Sequence, residues 1–149
     1  MVLYLDTSAL VKRYFEEESS DVVLSLWGKA GHIVTSSVAY SETLACFYRK
    51  KNEPGFDDNV FAKILDEFRV DWSSFIRVQV NDGLNRYIDR VFACCRLRGF
   101  DAVHMASAVL IREKLSKDLV FACYDSRLNI AAKLQGLETL QDPGFDVCI

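Results

Sequence analysis

The sequence predicts an α/β fold: one domain with a parallel sheet covered by helices on both faces. Three observations carry that expectation. The chain has 149 residues, 50% of them apolar and 26% charged, which suits a single domain that buries roughly 68–70% of its unfolded surface. Short apolar, β-rich runs alternate with longer stretches of helical spacing. Only two prolines occur, and no low-complexity stretch, repeat or linker divides the chain. The composition excludes disorder, which needs few apolar residues and a high net charge. It also predicts no membrane span, since every apolar run stops well short of about 18 residues. Met1–Leu5 meets Asp6 before any leader-like pattern develops. A formal net charge of −3 argues against nucleic-acid binding through an overall positive field.

Taken in order, Val2–Leu5 reads as a buried strand ending at Asp6. Ser8 can cap a helix from about Ala9 to Glu17. A second helix, about Ser20 to Ala30, closes at Gly31, a suitable C′ residue. His32–Thr35 is a short strand, followed by a capping Ser36 or Ser37 and a helix to about Lys51. Asn52-Glu53-Pro54-Gly55 breaks the chain. Phe56–Trp72 has helical spacing through Val60, Phe61, Ile64, Leu65 and Phe68. Phe75–Val80 alternates as a strand, and Asn81-Asp82-Gly83 introduces a helix to about Arg98. Gly99 interrupts before a helix from Asp101 to Lys117. Leu119–Tyr124 is a strand, Ser126–Gln135 a helix closed by Gly136, and Leu137–Leu140 a last short strand.

The five cysteines, Cys46, Cys94, Cys95, Cys123 and Cys148, are odd in number and form no C-x-x-C pair. They predict neither a disulfide framework nor a zinc cluster, and place the chain in a reducing cytoplasm. With His32 and His104 the sole imidazoles, a bound metal must rely on carboxylate oxygen.

Four acids stand where a plain core would not put them. Asp6 ends the first strand and Asp125 the fourth, and ligands of parallel α/β sheets gather at the carboxyl ends of strands. For both, the plain alternative is a helix cap. Glu42 shares a helix face with Val38 and Ala45, where a carboxylate must be paired, protonated or cation-bound. Lys12 or Arg13 could neutralise it. Asp101 opens an almost uncharged, buried helix and could act simply as its N-cap, while His104 reads as a satisfied core histidine.

These residues resemble the PIN-domain family, most closely the VapC-type toxins of toxin–antitoxin pairs. The likeness runs through YLDTSALVKRY (4–14), SSVAYSETLACF (36–47), LRGFDAVHMASAVL (97–110) and FACYDSRLNIAAKLQGLETL (121–140). It implies a three-layer domain whose five-stranded parallel sheet has the order 3-2-1-4-5, with an acidic pocket at the strand carboxyl ends. The family's acidic quartet falls on Asp6, Glu42, Asp101 and Asp125, and its small polar residue on Ser8, with Thr7 beside it. Cys123 departs from the pattern: similar proteins carry Thr or Ser there, and a hydroxyl that could orient Asp125 is lost.

The resemblance and the chemistry together lead to the expectation of RNA phosphodiester hydrolysis. Clustered carboxylates repel one another, and a divalent cation relieves that repulsion near neutral pH. Oxygen-only ligands suit Mg²⁺, with Mn²⁺ an alternative. Asp6 and Asp101 would bind the ion directly, Glu42 and Asp125 would place water or a second ion, and Ser8 would orient a carboxylate or water. Substrate phosphates would meet Lys12 and Arg13, Arg49-Lys50-Lys51, or Arg86, Arg90, Arg96 and Arg98. Tyr14, Phe15, Tyr40 and Phe47 read as core or dimer-interface residues rather than base-stacking platforms. The likeness further implies a homodimer neutralised by a small VapB-type antitoxin.

Two other readings compete: a non-catalytic PIN-like interaction module, and a phosphatase with Asp6 as nucleophile. The haloacid-dehalogenase pattern would put a second Asp where Ser8 stands. Setting four pocket acids aside moves the formal charge from −3 to +1, so the acidity belongs partly to the site. The weak overall charge predicts selective rather than indiscriminate RNA binding.

Overall fold

The computed structural model describes residues 1–116 and 118–140. Its strands are β1 (Val2–Leu5), β2 (His32–Ser36), β3 (Ile76–Val78), β4 (Leu119–Ala122) and β5 (Glu138–Thr139). Between them lie helices α1 (Thr7–Leu10), α2 (Ser20–Lys29), α3 (Ala39–Lys51), α4 (Asp58–Ser74), α5 (Asn85–Cys94), α6 (Gly99–Leu115) and α7 (Ser126–Leu134). The five strands form one parallel sheet in the order β3-β2-β1-β4-β5, as the resemblance implied. Cys148 and Lys117 lie outside the described residues.

The two-residue period of a strand separates the layers. On β1, Val2 and Tyr4 face the layer built by α5, α6 and α7, whose core includes Val91, Met105 and Leu128. Leu3 and Leu5 face the opposite layer with Leu10, Val23, Phe47 and Phe68. On β4, Leu119 and Phe121 go one way and Val120 and Ala122 the other. The sheet therefore carries an apolar core on each face, and its carboxyl edge is left for polar chemistry. Among the described residues, no helix is long and apolar enough to cross a membrane.

Tyr14, Phe15 and Phe47 are core residues. Phe47 is fully buried, with its ring centroid 5.5 Å from Tyr14, 5.1 Å from Phe15 and 5.4 Å from Phe68. Tyr40 packs at the margin of this cluster, 5.5 Å from Phe68.

Several boundaries differ from the sequence expectation, each for a tertiary reason. The first helix stops at Leu10 and tightens into a 3₁₀ turn, Val11–Arg13, instead of reaching Glu17. Tyr14 and Phe15 leave the helical path to bury their rings, and Ser20 Oγ secures the bend, donating to the Phe15 carbonyl and accepting the Glu17 N–H. Ser8 does not cap this helix; Asp6 does, accepting the Ala9 N–H at 3.0 Å. Gly31 is no left-handed C′ residue: its N–H pairs with the Met1 carbonyl at 2.9 Å, joining the chain to the start of β1. Neither Ser36 nor Ser37 caps α3, which begins at Ala39. The helix expected to reach Arg98 ends at Cys94, and Gly99 begins α6 rather than breaking the chain. Between them Cys95 and Leu97 pack against the core, which holds the segment extended. β4 ends at Ala122, so Asp125 follows a two-residue connection rather than the strand itself.

Candidate functional site

β1 delivers Asp6 to the carboxyl edge of the central strand, where 94% of its surface is lost. Its Oδ1 accepts the Ala9 N–H and, at 2.7 Å, the Ser8 hydroxyl. Ser8 Oγ in turn accepts the Tyr124 N–H at 2.9 Å, tying the end of β1 to the connection after β4. Burial pushes the Asp6 carboxyl above the usual carboxylate range, although His104, Ser8 and the Ala9 N–H oppose the shift. An ionised Asp6 thus lacks full compensation within the protein.

Glu42 enters from the first turn of α3. Its partners are neither Lys12 nor Arg13. Oε1 accepts the Thr7 hydroxyl at 2.8 Å and pairs with His104 Nε2 at 2.7 Å. His104 is 2% exposed, and its Nδ1 meets the Tyr4 hydroxyl at 2.9 Å. Burial raises the Tyr4 pKa far above its ordinary value, so the phenol keeps its proton beside Nδ1. A carboxylate only accepts, so Nε2 is the ring nitrogen that donates to Glu42. Burial alone would raise Glu42, but the His104 and Thr7 contacts outweigh it and hold the carboxyl below its ordinary value. His104 is thus a satisfied core histidine that also positions a site acid. Its spacing three residues after Asp101, on the same helix face, is the signal that could have revealed this.

Asp101 lies in the first turn of α6 but does not cap it; Arg98 occupies the cap position without a side-chain bond. Asp101 makes no hydrogen bond or ion pair with another described residue. Burial raises its pKa, and the charges of Asp125, Asp6 and Glu42 raise it further against a partial offset from His104. The four acids therefore share one electrostatic environment. Asp125 is exposed and caps α7, its Oδ1 accepting the Leu128 N–H at 2.9 Å.

Cys123 replaces the expected hydroxyl without leaving the turn unsupported. Burial and the nearby Asp6 charge push its pKa up, so it remains a thiol. Its Sγ accepts the Asp125 N–H at 3.2 Å and lies 4.0 Å from Ser8 Oγ.

Asp101 and Asp125 line an open cavity of about 730 Å³, together with Phe92, Arg96, Arg98 and Arg127. Among the described residues, no three acid, histidine or cysteine side chains converge as a ready-made metal cage. The donor chemistry fits instead an ion held by few protein oxygens, as Mg²⁺ is when it retains water and takes substrate phosphate. The acids' partners fix several of the carboxylates in place, and the Asp101 carboxylate has no hydrogen-bond or ion-pair partner among the described residues.

The proposed cations divide sharply. Lys12 and Lys50 both pair with Glu17, Arg13 with Glu67 and Asp71, and Arg90 with Glu113. Arg49 rests on Cys46 Sγ, Lys51 lies over the Phe61 ring, and Arg86 bonds Tyr87. Arg96 and Arg98 face the acid-lined cavity, joined by Arg127, whose place beside Asp125 the sequence pattern did not indicate.

Comparison with known proteins agrees with this architecture. A family model described as PIN domain matches residues 3–134. The chain is 27% identical over 135 residues to proteins named Ribonuclease VapC45 and Ribonuclease VapC49, from Mycobacterium tuberculosis strains CDC 1551 / Oshkosh and ATCC 25618 / H37Rv. Each alignment covers 91% of this chain and 92% of the relative. A chain in the crystal structure of VapBC2 from Rickettsia felis, bound to a DNA fragment from their promoter, superposes with a TM-score of 0.61. That match covers 94% of this chain and 98% of the other, at 17% identity.

Proposed function

This chain belongs to the PIN-domain family, and from that premise we propose that it is a metal-dependent endoribonuclease, the toxin of a VapBC-type pair. The observation that carries the reading is Asp101: a carboxylate on the wall of an open cavity, with no hydrogen bond or ion pair to another described residue, its pKa raised by burial and by three neighbouring acids. A protein gains nothing from such repulsion unless something cationic relieves it. The names of the two ribonuclease relatives supply the substrate class.

Asp6 and Asp101 would hold the cation directly, with Glu42 and Asp125 supporting it; Mg²⁺ suits these oxygens and Mn²⁺ is the alternative. Bound there, the ion would neutralise the carboxylates and stabilise charge developing on a substrate phosphate. The chain's own part is positioning. Ser8 and the Ala9 N–H fix Asp6, while Thr7 and the Tyr4–His104 pair fix Glu42. The Leu128 N–H fixes Asp125, and Cys123 supports the turn before it. The non-catalytic module finds no support in a site that retains all four acids.

Cleavage of labelled single-stranded and structured RNAs tests the activity, using wild type and Asp6→Asn with Mg²⁺, Mn²⁺ or EDTA. The expected result is cutting that needs both the ion and Asp6; cutting that survives EDTA would sink the mechanism. The VapBC name of the structural neighbour supports a VapB-type antitoxin partner, the resemblance a homodimer, and the cysteine usage a reducing cytoplasm. Co-purification from native cells tests the partner, and a chain recovered alone and harmless when overexpressed counts against a toxin.

A further inference from the structure

The segment between α5 and α6 is extended at both ends, at Cys95 and Arg98. Alternate side chains of an extended segment point to opposite sides. Cys95 and Leu97 pack against the core, and Arg96 and Arg98 are exposed. Both arginines line the cavity that holds Asp101 and Asp125. Arg127, in the first turn of α7, lines it too. None of the three guanidinium groups makes a hydrogen bond or ion pair with a described residue, although two acids share their cavity. Phe92, at the end of α5, lines the same cavity with 48% of its surface exposed.

Three unpaired guanidinium groups and an exposed ring make the combination that grips an unpaired nucleic-acid strand: cations for the backbone and an aromatic face for a base. A concave site of this kind suits splayed nucleotides, whereas an A-form duplex presents a regular outer surface and keeps its bases stacked. A second cavity is lined in part by Ser8, Lys12, Arg49, Lys50 and Tyr124; Arg49 there rests on Cys46 Sγ. Both lysines there are already paired with Glu17.

We propose that Arg96, Arg98, Arg127 and Phe92 form the subsite that grips an unpaired RNA strand, holding phosphates and one base beside the bond placed at the acids. The inference rests on the nuclease reading for its substrate class and goes beyond it in naming the residues that hold the strand and the part each plays.

Fluorescence anisotropy in EDTA tests it, in an Asp101→Asn background that keeps RNA intact. The probes are a fluorescein-labelled unstructured 12-nucleotide RNA and a duplex of the same sequence, titrated at several salt concentrations. The single strand is expected to bind better than the duplex. Arg96→Ala/Arg98→Ala/Arg127→Ala is expected to reduce the salt slope by about 2, at roughly 0.7 for each phosphate contact. Phe92→Ala is expected to weaken binding by about fivefold or more with the slope retained. Arg69→Ala, on α4 in the opposite layer, is expected to change neither. The proposal is overturned if the triple variant keeps the parent's affinity and slope, if the duplex binds better, or if Arg69→Ala loses as much slope as one cavity arginine. Wild-type cleavage is followed in parallel. Arginine-dependent binding by a protein that cuts no RNA would sink the nuclease reading and leave the subsite standing. Cutting with unaltered binding in the triple variant would do the reverse.

Discussion

Asp101 illustrates how one side chain can oppose folding and serve function. Its folded pKa is raised by burial and by Asp125, Asp6 and Glu42, so the folded state prefers it protonated. The linkage has a definite sign: below the ordinary carboxylate range the penalty is absent. It sets in as pH rises through that range and is complete above the raised folded pKa. Asp101→Asn should therefore abolish RNA cleavage yet raise the apo-protein's urea midpoint at pH 7, with the gain disappearing on acidification. A neutral-pH midpoint lower than wild type's would show that the acid is not repelled as described. Tyr4→Phe addresses the Glu42 support: it removes the hydroxyl that bonds His104 Nδ1 and should reduce cleavage while leaving Asp101 and the arginine wall untouched. Unchanged cleavage rates would show that His104 holds Glu42 without Tyr4.

At the scale of elements, short connections decide which charges remain available to a ligand. Glu17 lies on the bend after the 3₁₀ turn and binds Lys12 and, from α3, Lys50. Burial would raise its carboxyl, but the two lysines hold it below its ordinary value. Its stabilisation is therefore present above the ordinary carboxylate range and is lost as pH falls through the lowered folded pKa. The ammonium groups are partly exposed, so the contribution is at most about 1 kcal/mol. Urea unfolding of Glu17→Gln should show a loss of that size at pH 7 and none near pH 2; a loss persisting at low pH would point to packing instead. The helix ends teach the same lesson. Capping residues were legible as types, but which one caps was not. Asp6 and Asp125 cap short helices and also belong to the acid group, so the plain and functional readings of these two residues hold together. Asp101, equally plausible as a cap, is not one, because α6 begins two residues earlier at Gly99.

The whole molecule is a sheet with two cores, and the core beneath α3 and α4 is strongly aromatic. Phe47 is fully buried among Tyr14, Phe15 and Phe68. Phe47→Ala should destabilise the domain by about 3–5 kcal/mol, measured by urea unfolding. A loss under 1 kcal/mol would mean that the cluster collapses to refill the space. Periodicity and punctuation in the chain were enough to determine the α/β class and the order of elements along the chain, and they singled out Asp6, Glu42, Asp101 and Asp125. Those features depend on local spacing, and the strand and helix periods are visible in local sequence. Only the tertiary structure decided how the charges are paired. It placed His104, not Lys12 or Arg13, on Glu42, neutralised Lys12 and Lys50 on Glu17, and left Arg96, Arg98 and Arg127 facing Asp101 and Asp125. Pairing depends on distances between groups as far apart in sequence as Glu42 and His104, and only the packing of α3 and α6 on the assembled sheet sets those distances.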